Sequence, residues 1–277
     1  MRHQQGEFEG SRGTRLFWQG WVKGDDPKGA LCLVHGFGEH SGRYSYFVER
    51  LCHADIAVFA FDLRGHGKSE GRRGHVASMA DFRDDLFAFL GHVEARVPRV
   101  PRFIFGHSMG SLVVLDFVLR NPHGLAGTII SGAGMEPAGV ATPALVLLSR
   151  VLAAVWPVLP LRVPVEVTGL THDKDEIEAY ENDPLIHNTS TTRMARELLD
   201  AIEWIKTHAG DLKTPILMLH GEADRVNLPA GSQNFFARVR VPDKQLILYP
   251  GGLHELHNDL HKDRVLTDLV RWLQERI

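Results

Sequence analysis

Short, wholly apolar runs recur along this chain, each followed by a stretch of helical spacing, and this alternation limits the available folds more than any other feature. Residues 30–34 read Ala-Leu-Cys-Leu-Val and residues 57–61 read Ala-Val-Phe-Ala-Phe. A strand without a polar side must be covered on both faces, which is the environment of a central parallel sheet. Residues 102–105, 127–131, 215–219 and 245–249 are read as further strands, and residues 14–22, which alternate loosely, as an early one. Between them, residues 44–53, 78–96, 109–120, 230–239 and 263–276 carry helical spacing, the second opening on a capping Ser78. Parallel neighbours need long crossovers, so the expected class is α/β, with a mostly parallel central sheet flanked by helices.

The alternation stops between residues 135 and 202, where the chain becomes helix-like, proline-punctuated and locally apolar. A length of 277 residues suits one α/β unit with an insertion. The expected organisation is therefore a first core part over residues 1–134, an inserted helical cap or lid over 135–202, and a second core part over 203–277. Thr142-Pro143 reads as a helix start, and the residues after it are apolar almost all round. Two readings of that surface stand side by side. It packs entirely on the core, or Leu145, Leu148, Leu152, Val155 and Trp156 roof a slot for an acyl chain, their outer side resting on micelles or a membrane surface. The same run is broken by Arg150, Pro157 and Pro160, so it does not suit a bilayer span.

Apolar residues at 44% and charged residues at 23% exclude disordered and collagen-like chains. A formal charge of −3 offers no footprint for nucleic acid, and a small neutral or apolar substrate fits better. The polar first ten residues lack a secretory apolar stretch, so the expected location is cytoplasmic, with peripheral membrane contact through the cap. Cys32 and Cys52 are expected to be buried thiols.

Chemistry enters at residues 106–110, Gly-His-Ser-Met-Gly, which follow the strand Phe103-Ile104-Phe105 and lead directly into a helical run. A G-x-S-x-G turn between strand and helix pushes its serine out above the sheet edge, because glycines at both flanks let the turn tighten. A serine hydroxyl needs a base to take its proton and a carboxylate to orient that base. Asp224 follows the strand at 215–219 and shares its loop with a competing acid, Glu222; His254 follows the strand at 245–249. Both lie at the carboxyl ends of strands, where ligands gather in open α/β sheets. The loop after residues 30–34, His35-Gly36-Phe37-Gly38, is expected to give the Phe37 N–H to an oxyanion hole, with the Met109 N–H as second donor. No P-loop is present, and His254, His257 and His261 lack a zincin arrangement, so neither metal nor cofactor is expected.

With these residues in place, the chain resembles the monoacylglycerol lipase and lysophospholipase-like group of the α/β-hydrolase superfamily of serine hydrolases. The matching segments, in order, are HGFGEHSGRY (35–44), FAFDLRGHGKSEG (59–71), GHSMGS (106–111), DPLI (183–186), GEADRV (221–226) and YPGGLHELHND (249–259). The resemblance implies an α/β-hydrolase fold and a triad of Ser108, Asp224 and His254, with Phe37 and Met109 as oxyanion donors. It also implies a polar pocket for a glycerol head group at Glu39, Arg43 and His257; for Glu39 and Arg43 an ion pair bracing the oxyanion loop is the competing reading. Ser111 departs from relatives that carry glycine there. The implied activity is hydrolysis of lipid carboxylic esters, monoacylglycerols above all, to glycerol and free fatty acid. A broad carboxylesterase, a lysophospholipase or a peptidase remains an alternative, as does a hydrolase-fold binding protein without catalysis.

Overall fold

A computed structural model describes residues 1–121, 124–139 and 150–277. The five strands whose side chains are almost all hidden form its middle: β3 (Gly29–Val34), β4 (Ile56–Phe61), β5 (Arg102–His107), β6 (Gly127–Ser131) and β9 (Ile216–Gly221). Each alternates between two apolar layers, as a period of two requires. From β3, Ala30, Cys32 and Val34 enter the layer under α2 (Met79–Arg96), α3 (Met109–Arg120), α5 (Thr192–His208) and α6 (Pro229–Arg238). Leu31 and Leu33 enter the opposite layer, beneath α1 (Ser45–His53) and α7 (Lys262–Gln274). Helices thus cover both faces, the arrangement that an all-apolar parallel strand needs.

The sheet has eight strands, in the order β1 (Arg2–Glu9), β2 (Arg15–Val22), β4, β3, β5, β6, β9 and, at one edge, β10 (Lys244–Tyr249). All neighbours from β4 through β10 run parallel. The exception lies at the other edge, where the polar amino terminus forms β1, antiparallel to β2, itself antiparallel to β4. The expected Ser78 cap is made, its side chain accepting from Ala80 N at 3.2 Å. Cys32 and Cys52 are free and buried, and burial pushes the Cys32 thiol up to about 12.

Between β6 and β9 the chain leaves the sheet. Residues 150–155 are helical, and α4 (Lys174–Asn182) and the first part of α5 follow. One expectation needs correction: the segment is not free of strands. β7 (Pro160–Arg162) and β8 (Thr189–Thr191) make a separate antiparallel ribbon, three residues each, too short to leave a readable alternation. The expected boundary at residue 202 falls inside α5, which continues to His208. The helix start at Thr142-Pro143, with Leu145 and Leu148, lies outside the described residues. Leu152 is half-buried, whereas Val155 is 80% and Trp156 57% exposed, so these last two turn outward and roof nothing.

Candidate active site

Four loops at the carboxyl ends of parallel strands converge: residues 35–43 after β3, the turn after β5, residues 222–227 after β9, and residues 250–258 after β10. β5 runs to His107 and α3 begins at Met109, leaving Ser108 alone at the turn, with φ +51°. A non-glycine residue there is strained, by about 1–3 kcal/mol in general. Its glycine neighbours are demanded by space: a Cβ on Gly106 would sit 2.7 Å from Gly110 O, and one on Gly110 would sit 2.3 Å from Val34 O. Ser111, the departure from the family pattern, ties the turn together; its hydroxyl donates to Ser108 O and accepts from Gly134 N at 3.0 Å.

His254 Nδ1 donates to Asp224 Oδ2 at 2.8 Å, both residues being buried. That bond leaves Nε2 as the unprotonated, basic nitrogen. Asp224 Oδ1 accepts from Val226 N at 2.8 Å and Asn227 N at 3.0 Å, while His220 Nε2 stands 3.1 Å from Oδ2. Burial by itself would raise the Asp224 pKa, but His254 and His220 outweigh it and hold the carboxyl well below the usual range. For His254, burial favours the neutral form, yet the Asp224 carboxylate prevails and the imidazole pKa is raised. Glu222, the competing acid, is exposed.

Ser108 and His254 share the wall of a cavity of about 440 Å³ with Phe37 and Met109. Met109 is the first residue of α3, so its N–H belongs to the helix's unpaired first turn and can face an oxyanion. Apolar side chains dominate the rest of the wall, among them Leu112, Val163, Leu170, Leu198, Leu199 and Ile202. Among the described residues, the roof comes from residues 163–170 and from α5, and Val155 and Trp156 are not part of it.

Of the three expected head-group residues, Glu39 alone reaches the wall. Glu39 Oε1 accepts from Gly36 N at 2.6 Å and from Tyr44 Oη at 2.9 Å, and Oε2 accepts from Arg43 Nη1 at 3.1 Å. Arg43 also grips Glu255 with both nitrogens, at 2.6 and 2.8 Å. The bracing reading of the Glu39–Arg43 pair is thus realised. Burial would raise the Glu255 pKa, but Arg43 overrides it and holds the carboxyl well below the usual range. His257 lies beyond the wall, stacked on Tyr44 with ring centroids 4.6 Å apart, and burial pushes its pKa down to about 4.

Several residues at this site escaped the sequence reading. Glu255 and Asn227 both line the cavity. His107 packs against His254 and His257 at 4.8 and 4.9 Å, and burial, reinforced by those rings, holds its pKa well below the ordinary value. Tyr180 lies under the Arg43 guanidinium at 4.8 Å. His107, as the variable residue inside G-x-S-x-G, and Glu255, inside YPGGLHELHND, stood in recognised segments without a role being assigned to them; Asn227 and Tyr180 stood in none.

Residues 25–261 match the Hydrolase_4 family, described as serine aminopeptidase, S33. The chain belongs to this family. Within it, the chain is 32% identical over 267 residues to the monoacylglycerol lipase of Mycolicibacterium smegmatis, covering 96% of this chain and 95% of that protein. It is also 32% identical to the monoglyceride lipase of Homo sapiens, covering 95% of this chain and 88% of the human protein. The crystal structure of Paleococcus ferrophilus monoacylglycerol lipase superposes with a TM-score of 0.85 at 29% identity, over the whole of both chains. The chain is therefore a member of the monoacylglycerol lipase-like group of α/β-hydrolases, and an ester-hydrolysing serine enzyme by family.

Proposed function

We propose that this protein hydrolyses monoacylglycerols to glycerol and free fatty acid through an acyl-enzyme on Ser108. The observation that carries the reading is His254, paired with the buried Asp224, sharing with a strained serine the wall of a largely apolar cavity. His254 Nε2 takes the Ser108 proton as Oγ attacks the ester carbonyl, and the Phe37 and Met109 N–H groups receive the negative oxygen. His254 then hands the proton to the departing alcohol. Water enters, is deprotonated by the same nitrogen, and releases the fatty acid while Ser108 regains its hydrogen. The glycerol end lies toward Glu39, with Arg43 and His257 behind it, and the acyl chain lies among Leu170, Leu198 and Ile202.

Residues 135–202 act as the cap over this site. The cap meets the surface of a lipid aggregate through the outward Val155 and Trp156; among the described residues no helix is long and apolar enough to cross a membrane. Curated monoacylglycerol and monoglyceride lipases that align over nearly the whole chain support the substrate class.

The test is Ser108→Ala, compared with the unaltered enzyme on monoacylglycerols, triacylglycerols, lysophospholipids, short-chain esters and peptide amides. The expected outcome is highest turnover on monoacylglycerols, and complete loss of ester turnover and of fluorophosphonate labelling in the variant, with its thermal transition in place. Retained turnover in the variant overturns the nucleophile; a preference for lysophospholipids or amides overturns the substrate class.

A further inference from the structure

Asn227 follows the Asp224 loop and is 5% exposed in the cavity wall. Its Nδ2 lies 3.1 Å from Gly132 O and 3.4 Å from Ser108 Oγ. The carbonyl of Gly132 can only accept, so the amide must turn its NH₂ toward that side. An NH₂ group has two hydrogens. With one committed to Gly132, the other is available to Ser108 Oγ.

We infer that Asn227 is a positioning residue for the nucleophile: its amide occupies one lone pair of Ser108 Oγ and so turns the serine proton toward His254. The inference rests on the reading of Ser108 as the nucleophile. A hydroxyl flanked by a fixed N–H donor cannot point its own hydrogen at that donor. Its proton is left to face the base, and its second lone pair to face the substrate carbonyl. As Oγ loses the proton to His254 Nε2 and bonds to the carbonyl carbon, the amide meets the charge developing on Oγ. When water has added to the acyl-enzyme, leaving its proton on His254, the adduct collapses: Oγ leaves carbon, collects that charge again and regains the proton from His254. The same N–H serves both events, because it is held by the protein and does not move with the substrate.

The position is well anchored for this. Asn227 N donates to Asp224 Oδ1 at 3.0 Å, and Asn227 O lies 2.9 Å from His220 Nε2, so the backbone is fixed independently of the side-chain amide. Removing the amide therefore separates its effect on Ser108 from the support of Asp224.

The experiment uses Asn227→Leu, which keeps the branched shape, excludes water and has no donor; Asn227→Ala serves if the first variant does not fold. The second-order rate of fluorophosphonate labelling at Ser108 and kcat are both expected to fall about tenfold, the worth of one such hydrogen bond, with KM unchanged. The midpoint of the acid limb of the pH–rate profile should stay where it is in the unaltered enzyme, since that limb reports His254 and Asp224. A labelling rate within about twofold of normal overturns the inference. So does a rate loss accompanied by a moved midpoint, which would mean that the Asp224 loop had shifted. Mass spectrometry of the labelled unaltered enzyme keeps the two levels apart: label on another residue overturns the parent reading, whereas label on Ser108 with an undiminished rate in the variant overturns only the role of Asn227.

Discussion

His254 is the residue on which the proposed chemistry turns, and its environment makes a definite demand on pH. Buried imidazoles usually favour the neutral form, but Asp224 at 2.8 Å reverses that balance and raises the pKa above the ordinary 6.5. The base must be neutral to accept the Ser108 proton. Activity is thus expected to fall on the acid side with a midpoint above 6.5, measured as kcat/KM against pH. In Asp224→Asn the raising influence is gone and the imidazole is no longer held in its working tautomer. The midpoint should move to lower pH while the rate drops by about three to four orders of magnitude. A midpoint that stays put in the variant would contradict the assignment of Asp224. Ser108, Asp224 and His254, the proposed triad, could be singled out in the sequence because each follows a strand with a clear apolar run. Asn227 and Glu255 could not: what they touch, Ser108 in one case and Arg43 in the other, stands 119 and 212 residues away.

Among the elements, the strands divide by how much of them is hidden. β3, β4 and β9 are buried along their whole length, and their continuous apolar runs announce them. β1 is an edge strand with seven of its eight residues not buried, so polar side chains are permitted and no pattern forms. β7 and β8 are too short to show one. The helical turn at residues 150–155 was legible as apolar, but sequence alone does not tell whether such a surface turns inward or outward. Its outward Val155 and Trp156 belong to the proposed contact with lipid. Trp156→Glu is expected to lower binding to phosphatidylcholine vesicles at least about tenfold in a co-sedimentation assay. Hydrolysis of a water-soluble short-chain ester should be unaffected. Unchanged vesicle binding would remove this face from the interaction.

At the scale of the molecule, the four strand loops of the candidate site emerge at the carboxyl-terminal end of one sheet, and the described part of the chain that departs after β6 returns over that end. Residues of this returning segment are fastened to the core: His187 N donates to Gly38 O at 2.9 Å, His40 and Asp183 pair at 2.8 Å, and Glu255 N donates to Leu170 O at 2.7 Å. The overall α/β arrangement could be read from periodicity, because burial on two faces is a property of whole strands. The cavity's walls could not, because they are assembled from side chains of both parts. One part of that wall bears on how a catalytic cycle ends. Glu39 and Glu255 share a single guanidinium, Arg43, so this buried group carries one more negative than positive charge. A neutral ester is indifferent to that excess. A fatty acid, once freed, is an anion beside it, in surroundings where charges are poorly screened. Hydrolysis therefore converts a tolerated guest into a repelled one, and the site empties in one direction. Free fatty acid is accordingly expected to inhibit weakly, and Glu255→Gln, which cancels the excess, to tighten that inhibition about tenfold when its inhibition constant is measured on a short-chain ester. An equal inhibition constant in the two proteins would show that the buried charge plays no part in product departure.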